Sequence, residues 1–454
     1  MTSFPIALGL LLLSAQGSDP ATVLSQDDMH FLEEMTAAVV QESRVSANAS
    51  VGSYGPNVTG DTVIRPGGRE DYPAFWIRDY AMSIESGKIT TAEQRHMLFL
   101  TAKHQSDTDQ TLKSGSLVPT GSIADHITFG DKPIYFPGTL DDFEGQGGER
   151  WGKLPSLDDA FFFIHMANCY LSTTGDSSFL NETVNGKPLK QRLEEAYRMP
   201  PSRDDNGLVT VTEATRGVTF GFVDSVYHTG GLLFCSLLKF RAAGQLWYIF
   251  KNLGDKGRAE FYSKERQRLK AAITSTFALP SGFYKASTGL SAQPDVWGTA
   301  FGVFISAFPD PQTKAACDAL TRAYLNDSIA WHGNIRHVPT TDDFSADTAW
   351  EKAGSPKNRY QNGAYWGTPT GWVCYAIAQV DVPSAKKLAA EYVAELRDGD
   401  FRKGPDFGSP WECLHPDGDF RQNPIYMTSV ACPLFAFLRL NTELKAIDRD
   451  APYR

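Results

Sequence analysis

Two acidic side chains stand in segments whose composition suits acid–base chemistry. Asp224 follows the aromatic run TFGFV, and Glu412 follows Trp411 in a loop that contains glycine and proline. A carboxyl group that an apolar pocket removes from water keeps its proton near neutral pH and can act as a general acid. A second carboxylate that stays ionised can take a proton from a water molecule. Asp224 and Glu412 are therefore the predicted acid and base, and Glu213, beside the same glycine-containing turn, is the alternative acid.

A short segment near residue 76 combines the groups needed to hold a hydroxyl-rich ring. Trp76 offers a flat apolar face, Arg78 a forked donor and Asp79 a carboxylate acceptor. Adjacent residues in a helix do not face each other, which favours ligand contact over an ion pair between Arg78 and Asp79. A structural ion pair at a helix start is the alternative.

Other segments add acidic and aromatic side chains that could bind a ligand. Glycines between residues 136 and 159 free the backbone for close approach. The acidic residues there could bind hydroxyls or calcium, but their spacing does not match the EF-hand loop, so we expect no metal. Packed aromatics around a turn, and a helix N-cap at Asp224, are the structural alternatives. The further predicted binding residues are Asp142, Glu149, Trp151, Tyr227, His228, Asn362, Tyr365, Trp366 and Trp411.

The elements that must position these residues are mainly helices. Apolar residues recur at helical spacing in eleven stretches, with a twelfth indicated at 75–86. Loops with G-D, N-G and D-G dipeptides join them, which predicts an all-α architecture of helical hairpins with a short strand near 207–212. Long loops at 106–157, 204–221, 331–365 and 398–424 should gather at one rim and carry the site. The eleven stretches are 29–40, 91–102, 159–170, 189–197, 222–240, 259–277, 295–308, 312–325, 364–380, 384–396 and 427–438.

Length, charge and the first residues limit the class of protein. The apolar run FPIALGLLLL is too short to span a bilayer and is followed by small residues, so residues 1–17 are predicted to be a signal peptide of a secreted or periplasmic protein. Residues 18–454 are then expected to form one domain without a membrane span. A net charge of −10 argues against a nucleic-acid partner. Six cysteines without a C-x-x-C pair favour buried free thiols, although one disulfide is an alternative.

On these residues the chain resembles the six-hairpin (α/α)6-barrel glycoside hydrolases, nearest to the clan of trehalases and processing α-glucosidases. The segment from Trp76 to Asp79 is similar to the W-x-R-D substrate-gripping motif of that superfamily. Asp224 resembles the acid on its mid-chain loop, and Glu412, with PDG four residues on, resembles its base segment. The sequence around Asp224 departs from the family's aromatic acid loop, which keeps Glu213 as a candidate.

The resemblance implies hydrolysis of an oligosaccharide or glycoside with inversion and without a cofactor. An inverting pair holds its carboxyl groups roughly 6.5–9.5 Å apart, with room for a water molecule, against about 5–5.5 Å in a retaining pair. The long loops favour a closed pocket and exo action. One alternative is a polysaccharide lyase on a similar helical toroid, with Tyr227 and His228, or Asn362 and Tyr365, in the reacting roles. The other is a non-catalytic carbohydrate-binding protein.

Overall fold

The computed structural model describes residues 22–69, 72–139 and 142–450, with side chains as far as residue 445. The predicted signal peptide lies outside these residues. All twelve predicted helices are present, which confirms the all-α prediction. They are α1 (Gln26–Ser43), α2 (Ile77–Ser83), α3 (Thr91–Lys103), α4 (Asp159–Thr174), α5 (Leu189–Arg198), α6 (Leu233–Asn252), α7 (Lys256–Phe277), α8 (Val296–Phe304), α9 (Asp310–Leu325), α10 (Thr370–Ala378), α11 (Val382–Asp398) and α12 (Thr428–Asp450).

The even-numbered helices form a closed inner ring. Going round the ring, α2 packs on α4, α4 on α6, α6 on α8, α8 on α10, α10 on α12, and α12 again on α2. The odd-numbered helices pack outside them, as α7 does on α6 and α11 on α10. The inner helices α8 and α10 are buried along their whole length, whereas α7 and α11 bury one face each. This is the (α/α)6 barrel, with its hydrophobic core running through the ring.

Connections on the two ends of the barrel differ in length. An inner helix passes to the next outer helix by a short segment, such as 253–255 after α6 or 379–381 after α10. The return to the next inner helix is long, as at 104–158, 326–369 and 399–427. The long loops therefore gather at the rim where the inner helices begin. Among the described residues, no helix is both long enough and apolar enough to cross a membrane.

Most of the short antiparallel strands lie in the long connections at this rim. One sheet has the order β14-β15-β16-β17-β18 and another β3-β6-β7, and the rest are two-stranded. The sequence analysis predicted the strand near 207–212 but missed these sheets. The strands are β1 (Arg44–Val45), β2 (Val63–Ile64), β3 (Ala74–Trp76), β4 (Gln110–Thr111), β5 (Leu117–Val118), β6 (His126–Thr128), β7 (Pro133–Ile134), β8 (Thr183–Val184), β9 (Lys187–Pro188), β10 (Thr210–Val211), β11 (Gly230–Gly231), β12 (Tyr284–Lys285), β13 (Pro294–Asp295), β14 (Ala330–Trp331), β15 (Asn334–Arg336), β16 (Tyr365–Trp366), β17 (Trp411–His415) and β18 (Phe420–Pro424).

Two of the inner helices approach so closely that one position requires glycine. A Cβ atom on Gly371 of α10 would lie 2.6 Å from Cβ of Ala436 and 2.9 Å from Cα of Pro433, both in α12. Real Cβ atoms do not come this close to backbone, so a larger side chain must push the helices apart. The barrel closes at this contact because the side chain is absent.

We predict that Gly371→Leu lowers the free energy of unfolding by about 1–3 kcal/mol through overpacking. Gly257, in the first turn of α7, is the matched control, because its nearest neighbour would be Asp255 Oδ1 at 3.8 Å. Gly257→Ala should leave stability unchanged or raise it by about 0.4–1 kcal/mol. Urea unfolding followed by circular dichroism measures both. Equal stability of Gly371→Leu and the wild type would contradict the close approach of α10 and α12.

Candidate active site

A narrow cavity of about 40 Å³ lies at the rim where the inner helices begin. Its wall contains both predicted catalytic carboxyls, those of Asp224 and Glu412, together with three residues of the W-I-R-D segment. The sequence places these groups up to 336 residues apart, and the fold brings them to one space. The lining residues are Tyr72, Trp76, Arg78, Asp79, Gly221, Phe222, Asp224, Tyr360, Glu412 and Tyr426.

Arg78 forms a buried cluster of ion pairs on one side of the cavity. Its Nη2 lies 2.6 Å from Oδ1 of Asp125 and 2.6 Å from Oδ2 of Asp159, and its Nε lies 2.9 Å from Oδ2 of Asp158. All four side chains are buried. Arg78 thus forms structural ion pairs, but its partners are these three aspartates. The alternative pair with Asp79 is not formed. The remaining nitrogen, Nη1, takes part in none of these contacts, and Arg78 still lines the cavity.

The cluster also orders the loop that precedes Asp224. The Gly221 N–H donates to Oδ2 of Asp158 at 2.9 Å. A Cβ atom at Gly221 would lie 2.1 Å from Cδ of Arg78, so only glycine fits against the guanidinium. The backbone of the acid-bearing loop is therefore held directly on the ion cluster.

Asp79 and Trp76 form the neighbouring wall. The Tyr426 hydroxyl donates to Oδ1 of Asp79. Burial raises the pKa of Asp79 to about 6, although Tyr426 and Arg78 both act to lower it. The Trp76 ring stacks on His126, with ring centroids 4.2 Å apart, and Nδ1 of His126 lies 2.7 Å from Oδ2 of Asp125. The indole is half-buried and held from behind, as a platform for a sugar ring requires.

Glu412 projects from β17 and is surrounded by donors from the chain around it. The side-chain amide of Asn423 donates to its Oε2, as does Nε2 of Gln422 at 3.4 Å, and the Tyr72 hydroxyl also bonds to it. Burial and the charge of Asp79 raise the pKa of Glu412 to about 8, while Asn423 and Tyr72 act to lower it. The carboxyl is buried, and its donors are those that favour the ionised form.

Asp224 lies on a loop that one buried amide side chain holds in place. Oε1 of Gln361 accepts from the Ser225 N–H at 2.7 Å, and its Nε2 donates to the Gly221 carbonyl at 2.8 Å. Gln361 thus holds the backbone on both sides of Asp224. Burial raises the pKa of Asp224 to about 7, and the guanidinium of Arg78 acts to lower it.

The carboxyls of Asp224 and Glu412 are electrostatically coupled. The charge of Asp224 contributes to the raised pKa of Glu412. With values of about 7 and about 8, the two groups together hold one proton over the range between them. One protonated and one ionised carboxyl is the state that acid–base catalysis requires.

Three acidic or aromatic residues from the sequence analysis lie outside the cavity wall, and so does the alternative acid. Glu213 is exposed on a short 3-10 turn, and Asp142 and Glu149 are exposed as well. Trp151 is half-buried and packs against Gly138. Asp224 is not a helix N-cap, because α6 begins nine residues later, at Leu233.

The other predicted binding residues have different partners. The Tyr227 ring lies 4.3 Å from the Arg216 guanidinium, and His228 is buried with its pKa lowered to about 3 by burial. Oδ1 of Asn362 accepts from the Ala349 N–H at 2.9 Å and fixes a neighbouring loop. The remaining three, also outside the cavity wall, are Trp366, buried behind Phe222; Trp411, half-buried beside Gly408; and Tyr365, on a groove of the barrel's flank.

Three tyrosines complete the cavity and were not among the predicted site residues. Tyr72, Tyr360 and Tyr426 line it, and burial raises the pKa of each well above its ordinary value, so all three remain hydroxyl donors. Tyr72 lies four residues before Trp76, and Tyr426 lies fourteen residues after Glu412. A tyrosine beside such a motif is a weak signal, because most buried tyrosines only fill the core.

One group of residues in the described part of the chain has spacing suited to a metal ion. Ligand atoms of Glu85, His165 and Cys169 lie within 4.8 Å of one another. The group sits where α2 and α4 end, at the far end of the barrel from the cavity. Its His165 is already engaged, with Nδ1 2.7 Å from Nε2 of Gln245, and the nearby Arg241 lowers the pKa of His165 further after burial. A cation is therefore disfavoured there.

The chain is similar in fold to several proteins of known structure. No known family profile matches the chain, and no curated protein matches it. A rhamnosidase from Klebsiella oxytoca with rhamnose bound matches over 93% of this chain and 66% of its own, or about two thirds of its length, with 14% identity and a TM-score of 0.53. A GH63 mannosylglycerate hydrolase from Thermus thermophilus in complex with glucose matches over 89% and 99%, with 14% identity and a TM-score of 0.51. A wild-type glycosidase matches over 92% and 98%, with 12% identity and a TM-score of 0.53. The chain therefore shares its fold with these solved glycosidases, and this fold is the predicted (α/α)6 barrel.

We predict that Gln361→Ala loosens the Asp224 loop, because it removes partners from one buried N–H and one buried carbonyl. The free energy of unfolding should fall by about 1–3 kcal/mol for each unsatisfied group. Hydrogen exchange of the peptide over residues 219–228 should become faster, which mass spectrometry measures directly.

The matched control is Gln379→Ala. Gln379 is exposed, and its amide bonds to the Tyr375 carbonyl of its own helix at 3.3 Å. This change should alter stability by less than about 0.5 kcal/mol and leave exchange at 219–228 unchanged. Unchanged exchange in Gln361→Ala as well would show that Gln361 does not hold the loop.

Proposed function

We propose that the protein is a glycoside hydrolase that cleaves the bond by direct displacement with inversion at the anomeric carbon. The observation that carries this proposal is the meeting of Asp224 and Glu412 in one cavity, each with its pKa raised to near or above neutral. The fold shared with solved glycosidases supports it. Secretion, which rests on residues 1–17, is part of the proposal.

In this mechanism Asp224 is the general acid. Its protonated carboxyl gives a proton to the leaving oxygen as the glycosidic bond breaks. Burial raises the pKa of Asp224 and so favours its protonated form, since desolvation favours the neutral form of a carboxyl group. Gln361 and the Arg78 cluster fix the loop, so that the acid meets the leaving oxygen in one orientation.

Glu412 is the general base. As a carboxylate it removes a proton from a water molecule that attacks the opposite face of the sugar. Tyr72, Asn423 and Gln422 hold the carboxylate and favour its ionised form. Burial raises the pKa of both carboxyls to near or above neutral, and the mechanism requires the proton on Asp224 and the charge on Glu412 in the reactive complex.

The other residues of the cavity bind the sugar. Trp76 stacks on one face, while Asp79 and Nη1 of Arg78 meet the hydroxyls. The cavity lies at the rim that carries the long loops, and loops of this length favour a closed pocket and therefore exo action. Carbohydrate is thus the proposed partner, and no cofactor enters the mechanism.

A lyase is less well supported than a hydrolase. Removing the proton next to a uronate carboxylate requires a positive or amide group to neutralise that carboxylate. The cation that lines the cavity, Arg78, is already paired with three aspartates, and Asp79, Asp224 and Glu412 would repel an acidic substrate. Neither Tyr227 nor His228 lines the cavity.

We predict that Asp224→Asn and Glu412→Gln respond differently to the leaving group. Each should lower kcat on an unactivated glycoside by about 10²–10⁴-fold, the usual contribution of acid–base catalysis. On an aryl glycoside with an acidic phenol, Asp224→Asn should recover most of its activity because this phenol leaves without a proton. Glu412→Gln should not recover.

Asp142→Asn, at an exposed carboxyl outside the cavity, is the matched control and should keep wild-type rates. Recovery of Glu412→Gln without recovery of Asp224→Asn would make Glu412 the acid and Asp224 the base. Full activity of Glu412→Gln on a good substrate would remove it from the mechanism, and NMR showing retention in the first-formed sugar would refute inversion.

We predict a bell-shaped dependence of kcat/KM on pH, with its maximum between about 7 and about 8, the pKa values of the two carboxyls. Activity falls at lower pH because both groups become protonated and the base is lost. It falls at higher pH because both become ionised and the acid is lost. Initial rates on one aryl glycoside across acidic, neutral and alkaline buffers give the profile. An optimum well on the acidic side of neutral would show that the reacting carboxyls are not desolvated as proposed.

A further inference from the structure

A groove of about 650 Å³ lies on the flank of the barrel, away from the cavity wall. It runs between α9, α11 and the hairpin of β14 and β15, and none of its lining residues belongs to the catalytic cavity. The lining residues are Tyr324, Asp327, Ala330, Trp331, His332, Tyr365, Lys387, Glu391, Ala394, Glu395 and Asp398.

One wall is a polar stripe along α11. Lys387, Glu391, Glu395 and Asp398 recur at intervals of three or four residues and therefore share one face of the helix. Oε1 of Glu391 lies 3.6 Å from Nζ of Lys387, and Oε2 of Glu395 lies 2.9 Å from Nδ1 of His332. The stripe thus offers both acceptors and donors at the spacing of a helical turn.

The opposite wall is aromatic. Trp331 is half-buried, and His332 stacks on one of its faces, with centroids 4.0 Å apart and planes 7° from parallel. The Tyr365 ring lies 6.4 Å from that of Trp331. Tyr365 is only 8% exposed, and its hydroxyl makes no hydrogen bond to the described part of the chain. The sequence analysis expected Tyr365 to bind a ligand, and this groove is where that side chain lies.

The charge of the groove limits what it can bind. Four carboxylates face one lysine and one histidine. The ion pairs of this groove are those of Glu391 and Glu395, whereas Asp327 and Asp398 have none with a described residue, so their oxygens can accept hydrogen bonds from a ligand. An anionic polymer would be repelled.

We infer that this groove is a second saccharide site, which takes an uncharged oligosaccharide chain. A pyranose ring has an apolar face that suits the part of Trp331 that lines the groove, and hydroxyls that suit Asp327, Asp398 and the Tyr365 hydroxyl. The groove lies open on the flank, so it can hold the middle of a chain whose end occupies the catalytic cavity of the same or another molecule. The inference goes beyond the proposed hydrolysis and does not depend on it.

The test is affinity electrophoresis of the full chain in gels that contain a soluble polysaccharide. Neutral probes are soluble starch, mixed-linkage β-glucan, xyloglucan and galactomannan, and polygalacturonate is the acidic probe. Glu412→Gln is used as the background, so that turnover does not consume the probe. At least one neutral polymer should retard the protein, and polygalacturonate should not.

Trp331→Ala in this background should weaken the binding by about tenfold, the equivalent of losing one stacked ring. Trp247→Ala is the matched control, since Trp247 is 38% exposed on α6 and lies outside the groove. Tyr365→Phe should weaken binding less, through the loss of one hydroxyl. Thermal melting checks that each variant is folded.

Retardation that is unchanged in Trp331→Ala overturns the inference, as does the absence of retardation by all four neutral polymers. Stronger retardation by polygalacturonate than by the neutral polymers would overturn the proposed class of ligand. The same holds if the protein binds only a polyamine that is added as a competitor. The catalytic proposal fails separately, through wild-type kcat/KM of Glu412→Gln on an aryl glycoside. Trp331→Ala with active Glu412 should keep wild-type kcat/KM on that small substrate.

Discussion

The burial of the Arg78 guanidinium among three aspartates is the interaction on which the site depends. Three carboxyl groups around one buried cation would carry an excess of negative charge, and burial raises the pKa of Asp159 well above its ordinary value. Removing Arg78 would leave these buried carboxylates without their counter-charge, which costs about 3–5 kcal/mol. The cluster joins the start of α2, the start of α4 and the loop that bears Asp224. The stability of the cluster and the orientation of the Asp224 loop therefore depend on the same contacts.

The cavity above this cluster gathers three more carboxyls, on Asp79, Asp224 and Glu412. Desolvation is the largest cause of the raised pKa of each, and mutual repulsion adds to it for Glu412. Tyrosine hydroxyls offset part of this cost, since Tyr426 donates to Asp79 and Tyr72 to Glu412. The site keeps its acids close together and holds each of them by a hydroxyl or amide donor from another part of the chain.

Much of the fold could be predicted from the sequence, because helical periodicity is a local property. All twelve helices appear where the apolar spacing indicated them. The start of α6 was wrong by eleven residues, since the apolar run from Phe222 continues the periodicity although those residues form the loop of Asp224. The strands of the rim were missed because most have only two or three residues and depend on distant partners, as β16 does on β15 and β17.

The site was predictable in part, for a related physical reason. Trp76, Arg78, Asp79, Asp224 and Glu412 stand in dense polar and aromatic segments, and the cavity unites them. Trp366 and Asn362 stand in a similar segment, yet they fill the core or fix a loop. Composition identifies a segment rich in functional groups, whereas the direction of each side chain depends on the strand or turn that carries it. Gln361 stands beside Asn362 in that segment, but nothing in the sequence indicates that its amide holds the Asp224 loop.

The closed ring of inner helices has an electrostatic consequence. All six begin at the rim, so the peptide dipoles of the ring direct their positive ends towards the same small volume. Asp79 and Asp159 lie in the first turns of α2 and α4, where a helix favours negative charge most. The barrel thus supplies, through its backbone alone, a positive potential at the place where its acids are concentrated. A toroid of helices wound in this direction is a scaffold that tolerates many carboxylates at its mouth.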